Sequence, residues 1–142
     1  MIVTPFHLAF PVRDLEETRT FYETVLGARI GRSSATWVDF DLFGHQLSAH
    51  LRPATGLVPR SVTGQVDGHA VPIPHFGVVL GLTDWDTLSV RLEARDDIAW
   101  IERPMVRFKG EPGEQATLFL YDPSGNALEF KGFADMSRVF AS

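Results

Sequence analysis

Three residues far apart in the chain, His7, His75 and Glu129, each stand in a short apolar run that reads as a β-strand. Two imidazoles and one carboxylate form a ligand set for a divalent cation, binding one face of the ion and leaving its other positions open to substrate. Such a centre keeps a net positive charge and favours a small molecule presenting two oxygens, at least one of them anionic or ionisable. A cation in this setting can polarise a carbonyl, stabilise an enediolate or hold dioxygen beside an organic ligand. A metal-dependent enzyme is therefore the expectation. Taken singly, each residue has a plainer reading: a histidine in an apolar strand as a hydrogen-bonded core residue, and Glu129 as a rim carboxylate paired with Lys131. The joint occurrence of the three favours the metal site.

The elements that must position these residues fall into two similar halves. FHLAFPV at 6–12 is a strand, and DLEETRTFYETVLG at 14–27 shifts to helical period, with Leu15, Thr18, Tyr22 and Val25 on one face, joined by Phe21 and Leu26. Asp14 is placed to cap this helix with Glu17 three residues on, and Gly27 suits the left-handed position past its end, so the helix is expected at about 14–26. ARIGRSS, ATWVDFDL and HQLSAHL follow as three strands. The second half repeats the order: PHFGVVL as a strand, TDWDTLSVRLEAR as a helix capped by Asp84 with Trp85, Leu88 and Leu92 on one face, then WIERPMVRF, ATLFLYD and NALEFKGF. The turns DLFG at 41–44 and DPSG at 122–125 precede the last strand of each half. Residues 53–72, rich in proline and glycine and without period, read as a linker that could cross the site as a lid.

Alternation assigns faces. Phe6, Leu8, Phe10 and Val12 oppose His7 and Ala9; Phe76, Val78 and Leu80 oppose His75 and Gly77; Leu128 and Phe130 oppose Glu129 and Lys131; Leu47, Ala49 and Leu51 oppose Gln46, Ser48 and His50. Each of these strands thus has one face fit to pack under a helix and another with polar groups among small neighbours. Gln46 and His50 are candidates to line the cavity as a substrate hydrogen-bond donor and a proton shuttle, with an exposed edge strand as the alternative. Lys131 could receive a substrate carboxylate or simply face solvent. Tyr121 and Phe119 could line the pocket or pack in the closing strand. His45 reads as a turn or surface residue, and His69 as a solvated linker residue.

Composition narrows the class. The 142 residues carry a formal net charge of −5, and the 13 lysines and arginines form no run, which argues against nucleic acid. The absence of cysteine excludes disulfides, thiolate metal sites and cysteine nucleophiles. No apolar run approaches membrane-spanning length and no leader pattern opens the sequence, so a cytoplasmic protein with no membrane partner is expected.

From FHLAFPVRDLEETRTFYETVLG to YDPSGNALEF the sequence resembles the vicinal oxygen chelate superfamily, the glyoxalase, bleomycin-resistance and extradiol-dioxygenase group. The first-strand histidine, the helix D-L-x-x-[polar]-x-x-F-Y-x-x-x-L-G and the ending D-P-x-G-x-x-x-E carry the likeness. The resemblance implies an α+β fold of two βαβββ modules, about 4–52 and 73–133 within a single domain, whose eight strands form a cup with helices outside. It also implies His7, His75 and Glu129 as metal ligands, and a homodimer. Two departures bear on activity. Aligning the two turns sets Ser48 opposite Glu129, where glyoxalase-type lyases carry a fourth ligand, usually Glu. Three ligands lean towards Fe(II) and dioxygen chemistry, with Mn, Ni, Zn or Co as other occupants. Ring-cleaving members usually have a tyrosine at the place of Phe119 and a histidine before it, and no histidine lies between His75 and Glu129, so Tyr121, His50 or Lys131 would have to serve as acid–base helper. A dioxygenase is preferred; a lyase or isomerase acting through a metal-bound enediolate, and a metal-free drug- or metabolite-binding resistance protein, are the alternatives.

Overall fold

A computed structural model describes residues 4–53, 63–66 and 69–141, and the chain divides into two units, Met1–Val58 and Pro59–Ser142. In the first unit β1 (His7–Val12) runs into helix α1 (Leu15–Thr20), which continues as one π turn over Phe21–Val25. Asp14 caps α1 by accepting the Glu17 amide at 2.8 Å, while the Glu17 carboxylate turns to Arg13 rather than back to the cap. Gly27 ends the helix at φ 79°, a conformation that glycine adopts without steric cost. The strands β2 (Arg29–Ser33), β3 (Trp37–Leu42) and β4 (His45–Leu51) follow.

The four strands form a sheet of order β1-β4-β3-β2, parallel between β1 and β4 and antiparallel elsewhere. Under α1 lie Phe10, Val12, Val38, Phe40, Leu47 and Ala49, all buried. Tyr22 anchors the helix to them, with its ring 5.0 Å from Phe40 and 5.6 Å from Phe10. The faces therefore follow the alternation: the large apolar side chains of β1 and β4 pack under the helix, and His7, Gln46, Ser48 and His50 lie on the other side.

The second unit repeats the plan. Its elements are β7 (Val79–Gly81), α2 (Leu82–Glu93), β8 (Ala99–Arg107), β9 (Gln115–Tyr121) and β10 (Ala127–Phe133), after a hairpin of β5 (Thr63–Val66) and β6 (His69–Pro72). The sheet order is β7-β10-β9-β8, again parallel at the first pair and antiparallel at the others. Each unit is thus a βαβββ module, giving the α+β class with eight main strands in two sheets of four. Trp85, Leu88 and Leu92 bury one stripe of α2, and the Trp85 indole donates to the Phe130 carbonyl at 2.9 Å. Gly132 makes room for that indole, since a Cβ there would lie 2.6 Å from Trp85 Cγ.

Three local expectations are revised. The stretch 53–72 read as a linker contains the β5–β6 hairpin, while residues 54–62 and 67–68 lie outside the described residues. Gly81, in extended conformation, caps α2, and Asp84 sits in the first turn instead, where its charge complements the helix dipole. The strand expected over PHFGVVL is a ladder only at Val79–Gly81. Upstream of it the chain still bonds to β10, with Phe76 N to Ala127 O at 3.1 Å and Glu129 N to Phe76 O at 2.8 Å. No helix among the described residues is long and apolar enough to cross a membrane.

Candidate metal centre

In the second unit, β10 presents Glu129 on the face away from α2, because Leu128 and Phe130 fill the helix-covered side and are fully buried. Glu129 is itself 6% exposed. Its Oε2 accepts the Thr117 hydroxyl at 2.5 Å, and its Oε1 lies 3.4 Å from His75 Nε2. Thr117 reaches it from the neighbouring strand, two residues along β9 from Phe119, which is the register partner of Glu129. Gly77 lets the segment carrying His75 run against β10: a Cβ there would sit 1.6 Å from the Glu129 carbonyl oxygen.

The other nitrogen of His75 is committed. Nδ1 donates to the Pro72 carbonyl at 2.7 Å, which fixes the ring and turns Nε2 towards the Glu129 carboxylate. The edge of the ring rests on Phe119, with centroids 4.7 Å apart in a T-shaped contact. An open cavity of 180 Å³ adjoins the pair, its wall including His75, Gly77, Glu129 and Lys131.

Electrostatics in this cluster favour a charged pair when no metal is bound. Interaction with the Glu129 carboxylate raises the His75 pKa above its ordinary value of 6.5, against burial, and the bond to Pro72 adds to the rise. Burial opposes ionisation of Glu129, but hydrogen bonds from His75 and Thr117, with the nearby Lys131 charge, outweigh it and hold the acid below its ordinary 4.5. A carboxylate kept ionised and a histidine with a fixed ring are the donors that a divalent cation displaces a proton to reach.

In the first unit His7 is exposed on β1, and its register partner on the parallel strand β4 is Gln46. His7 Nδ1 donates to Gln46 Oε1 at 2.9 Å. Gln46 is therefore placed to orient a histidine. His50 is half-buried on the same face, opposite Trp37. Ser48 is buried and donates its hydroxyl to Asp39 Oδ1 at 2.6 Å. His45 accepts the Phe6 amide at 2.9 Å and so fixes the entry to β1. Among the described residues no three histidine, aspartate or glutamate side chains are gathered closely enough to hold a cation.

Of the sequence candidates, the structure brings His75, Glu129, Phe119 and Lys131 together in one unit, and His7 with Gln46 in the other. Tyr121 ends β9 on the Glu129 face, and His50 and Ser48 stand along β4 from Gln46. Sequence reasoning missed Thr117, Asp39 and Arg107. Thr117 and Asp39 had a signal, since both alternate onto the polar faces of their strands, but their partners depend on cross-strand register. Arg107, at the end of a strand, resembled an ordinary solvent-facing charge.

The sequence model of the Glyoxalase/Bleomycin resistance protein/Dioxygenase superfamily matches residues 4–130. The chain belongs to this superfamily. A glyoxalase/bleomycin resistance protein/dioxygenase from Alicyclobacillus acidocaldarius is 34% identical, with 96% of each chain covered and a TM-score of 0.80. Two more distant structures share the fold: the fosfomycin resistance protein FosX from Listeria monocytogenes, at 18% identity, TM-score 0.69 and coverage of 98% of this chain and 100% of that one, and lactoylglutathione lyase from Agrobacterium tumefaciens, at 14%, 0.62, and 99% and 98%. No curated protein matches the chain. The superfamily includes metal-dependent enzymes and resistance proteins, so membership fixes the architecture and leaves the reaction to the site.

Proposed function

We propose that this protein is a divalent-metal-dependent enzyme acting on a small substrate with two adjacent oxygens, a dioxygenase in preference to a lyase or isomerase, with His7, His75 and Glu129 as metal ligands. One observation supports this reading above the rest: both histidines spend Nδ1 on an oxygen acceptor, Gln46 for His7 and Pro72 for His75, which fixes each ring and leaves Nε2 as the atom a cation would take once any proton on it is displaced. A metal-binding histidine is usually oriented in this way, with its second ring nitrogen on an oxygen acceptor. When bound, the ion supplies Lewis acidity towards the substrate's paired oxygens.

The chain's own groups do the rest. Thr117 holds one Glu129 oxygen so that the other is available, and Phe119 walls the side of His75 against water. His50 is the first candidate to take a proton, with Gln46, Tyr121 and Lys131 as helpers and Ser48 and Phe119 lining the pocket. Fe(II) is favoured, with Mn, Ni, Zn or Co as alternatives, and the working form is a cytoplasmic homodimer.

A second reading, a lyase or isomerase that removes a proton beside a carbonyl, is favoured by Asp39, a buried carboxylate on the polar face of the first sheet. Anaerobic reconstitution with Fe(II) and oxygen-uptake assays across catechols, hydroxyquinols and 2-oxo acids separate the two. Uptake supports the dioxygenase, while proton exchange without uptake supports the isomerase. Protein that takes up no divalent metal yet binds planar aromatic drugs tightly would overturn both in favour of a metal-free resistance protein.

A further inference from the structure

Arg107 closes β8 opposite Gln115 of β9, on the sheet face that also carries Thr117, Phe119 and Glu129. It is 2% exposed, and its guanidinium carbon lies 5.7 Å from the centre of the Phe119 ring. Its Nε and Nη2 atoms are buried with no hydrogen-bond partner among the described residues. A guanidinium does not lose its proton in a protein, so burial cannot be relieved by neutralisation, and donors of a buried charge left unmade are costly. The aromatic face beneath it offsets part of this cost and satisfies neither N–H.

The two orphaned nitrogens have a specific geometry. Nε and Nη2 share one edge of the guanidinium plane, the edge that gives two parallel hydrogen bonds to a pair of oxygens on one atom. Gln115 adds an acceptor beside them: its Oε1 is buried without a partner among the described residues, while its amide nitrogen donates to the Gly113 carbonyl at 3.1 Å. Cross-strand neighbours with complementary unmet needs have not turned to each other. Both are covered by neighbouring side chains, so a third molecule that meets these needs must part the residues over them.

Phe119 joins this place to the metal-binding pair, since the same ring contacts the edge of His75. We infer that Arg107 receives an anionic two-oxygen group on the substrate, a carboxylate or its phosphonate counterpart, carried about one aromatic ring away from the oxygens that meet the metal. The inference rests on the proposed metal site for where those other oxygens bind. It narrows the substrate class from any molecule with vicinal oxygens to one with a second, acidic end.

Calorimetric titration of the zinc-loaded protein with catechol, 3,4-dihydroxybenzoate, 3,4-dihydroxyphenylacetate and 3,4-dihydroxyphenylphosphonate tests this without turnover. The better acid is expected to bind at least about tenfold tighter than catechol, with the carboxylate and phosphonate arms telling which anion fits. Arg107→Gln should erase the preference while leaving catechol affinity within about twofold, and Arg107→Lys should keep part of it. Equal binding of acid and catechol, absence of binding by every probe, or equal loss of both in Arg107→Gln overturns the inference. Repeating the titrations on chelator-treated protein separates it from the metal reading: an Arg107-dependent acid preference that persists without metal sustains the inference even if zinc does not bind. Arg107→Met should melt no lower than the parent, because a buried unpaired charge has been replaced by an apolar chain; a lower melting temperature with an unchanged acid preference marks Arg107 as a packing residue and overturns the proposal.

Discussion

Thr117 donates its hydroxyl to Glu129 Oε2 at 2.5 Å, and the other carboxylate oxygen, Oε1, faces His75. Both residues are buried on adjacent strands, and His75 acts on the other carboxylate oxygen. Thr117→Val keeps the shape and removes the donor. Metal affinity should fall by about 10- to 100-fold, the usual cost of losing a group that orients a ligand. Competition against a chromophoric chelator measures it. Thr117→Ser should recover most of the loss; a Val variant with parental affinity would show that the hydroxyl has no part in metal binding.

The His75–Glu129 pair makes metal-free and metal-loaded protein respond oppositely to pH. His75 is raised above 6.5, so its contribution to stability is full below that value and is lost as pH climbs through the raised folded-state pKa. Glu129 is lowered beneath 4.5, so its contribution is present above that value and is lost as pH falls through the lower folded-state pKa. The pair therefore stabilises the metal-free fold most between 4.5 and 6.5. Above this window metal-free stability should decline, while the added stability from metal should grow as protons cease to compete for Nε2. Urea midpoints from about pH 5 to about pH 9, with and without zinc, read both trends. His75→Gln should flatten the metal-free decline; the same decline persisting in that variant would assign it to other groups.

Gly132 has no side chain because α2 occupies the space. With Trp85 Cγ 2.6 Å and Cβ 2.7 Å from the site of a Cβ, Gly132→Ala must push a rigid indole that is already bonded to Phe130. Overpacking of this kind costs about 1–3 kcal/mol. Thermal or urea unfolding should show that loss, and Trp85→Phe combined with Gly132→Ala should lose less than the two separate costs added together, since the clash and the bond share one residue.

Those contacts also show what could be read in advance. Period-2 alternation placed Leu128 and Phe130 against Glu129 and Lys131 correctly because β10 is covered on one side by α2, and a covered face forces the pattern. The same held for β1, β4 and the cap at Asp14. Alternation does not say which residues meet across neighbouring strands, so Asp39 opposite Ser48, Arg107 opposite Gln115, and the diagonal bond of Thr117 to Glu129 emerged only with the register. The π turn at Phe21–Val25 was likewise hidden, since one extra residue in a helical turn changes bonding without changing which side chains are apolar. Asp84 resembled a cap by residue type, but Gly81 already holds the extended conformation one residue before Leu82, and the helix starts there.

Gln46 ties the first unit to the proposed chemistry, and its role is separable from folding. The bond from His7 Nδ1 to Gln46 Oε1 lies on exposed side chains, so losing it should leave stability within about 0.5 kcal/mol. If Nε2 of His7 binds the metal, Gln46→Ala frees the ring to adopt the other tautomer and to rotate, and affinity should drop by about tenfold. Gln46→Glu should preserve or strengthen it, because a carboxylate accepts the same Nδ1 proton and makes the ring more basic. His7→Ala sets the scale for complete loss of the ligand. Unchanged metal affinity in both His7→Ala and Gln46→Ala would remove the first unit from the metal centre and leave His75 and Glu129 to account for any bound ion.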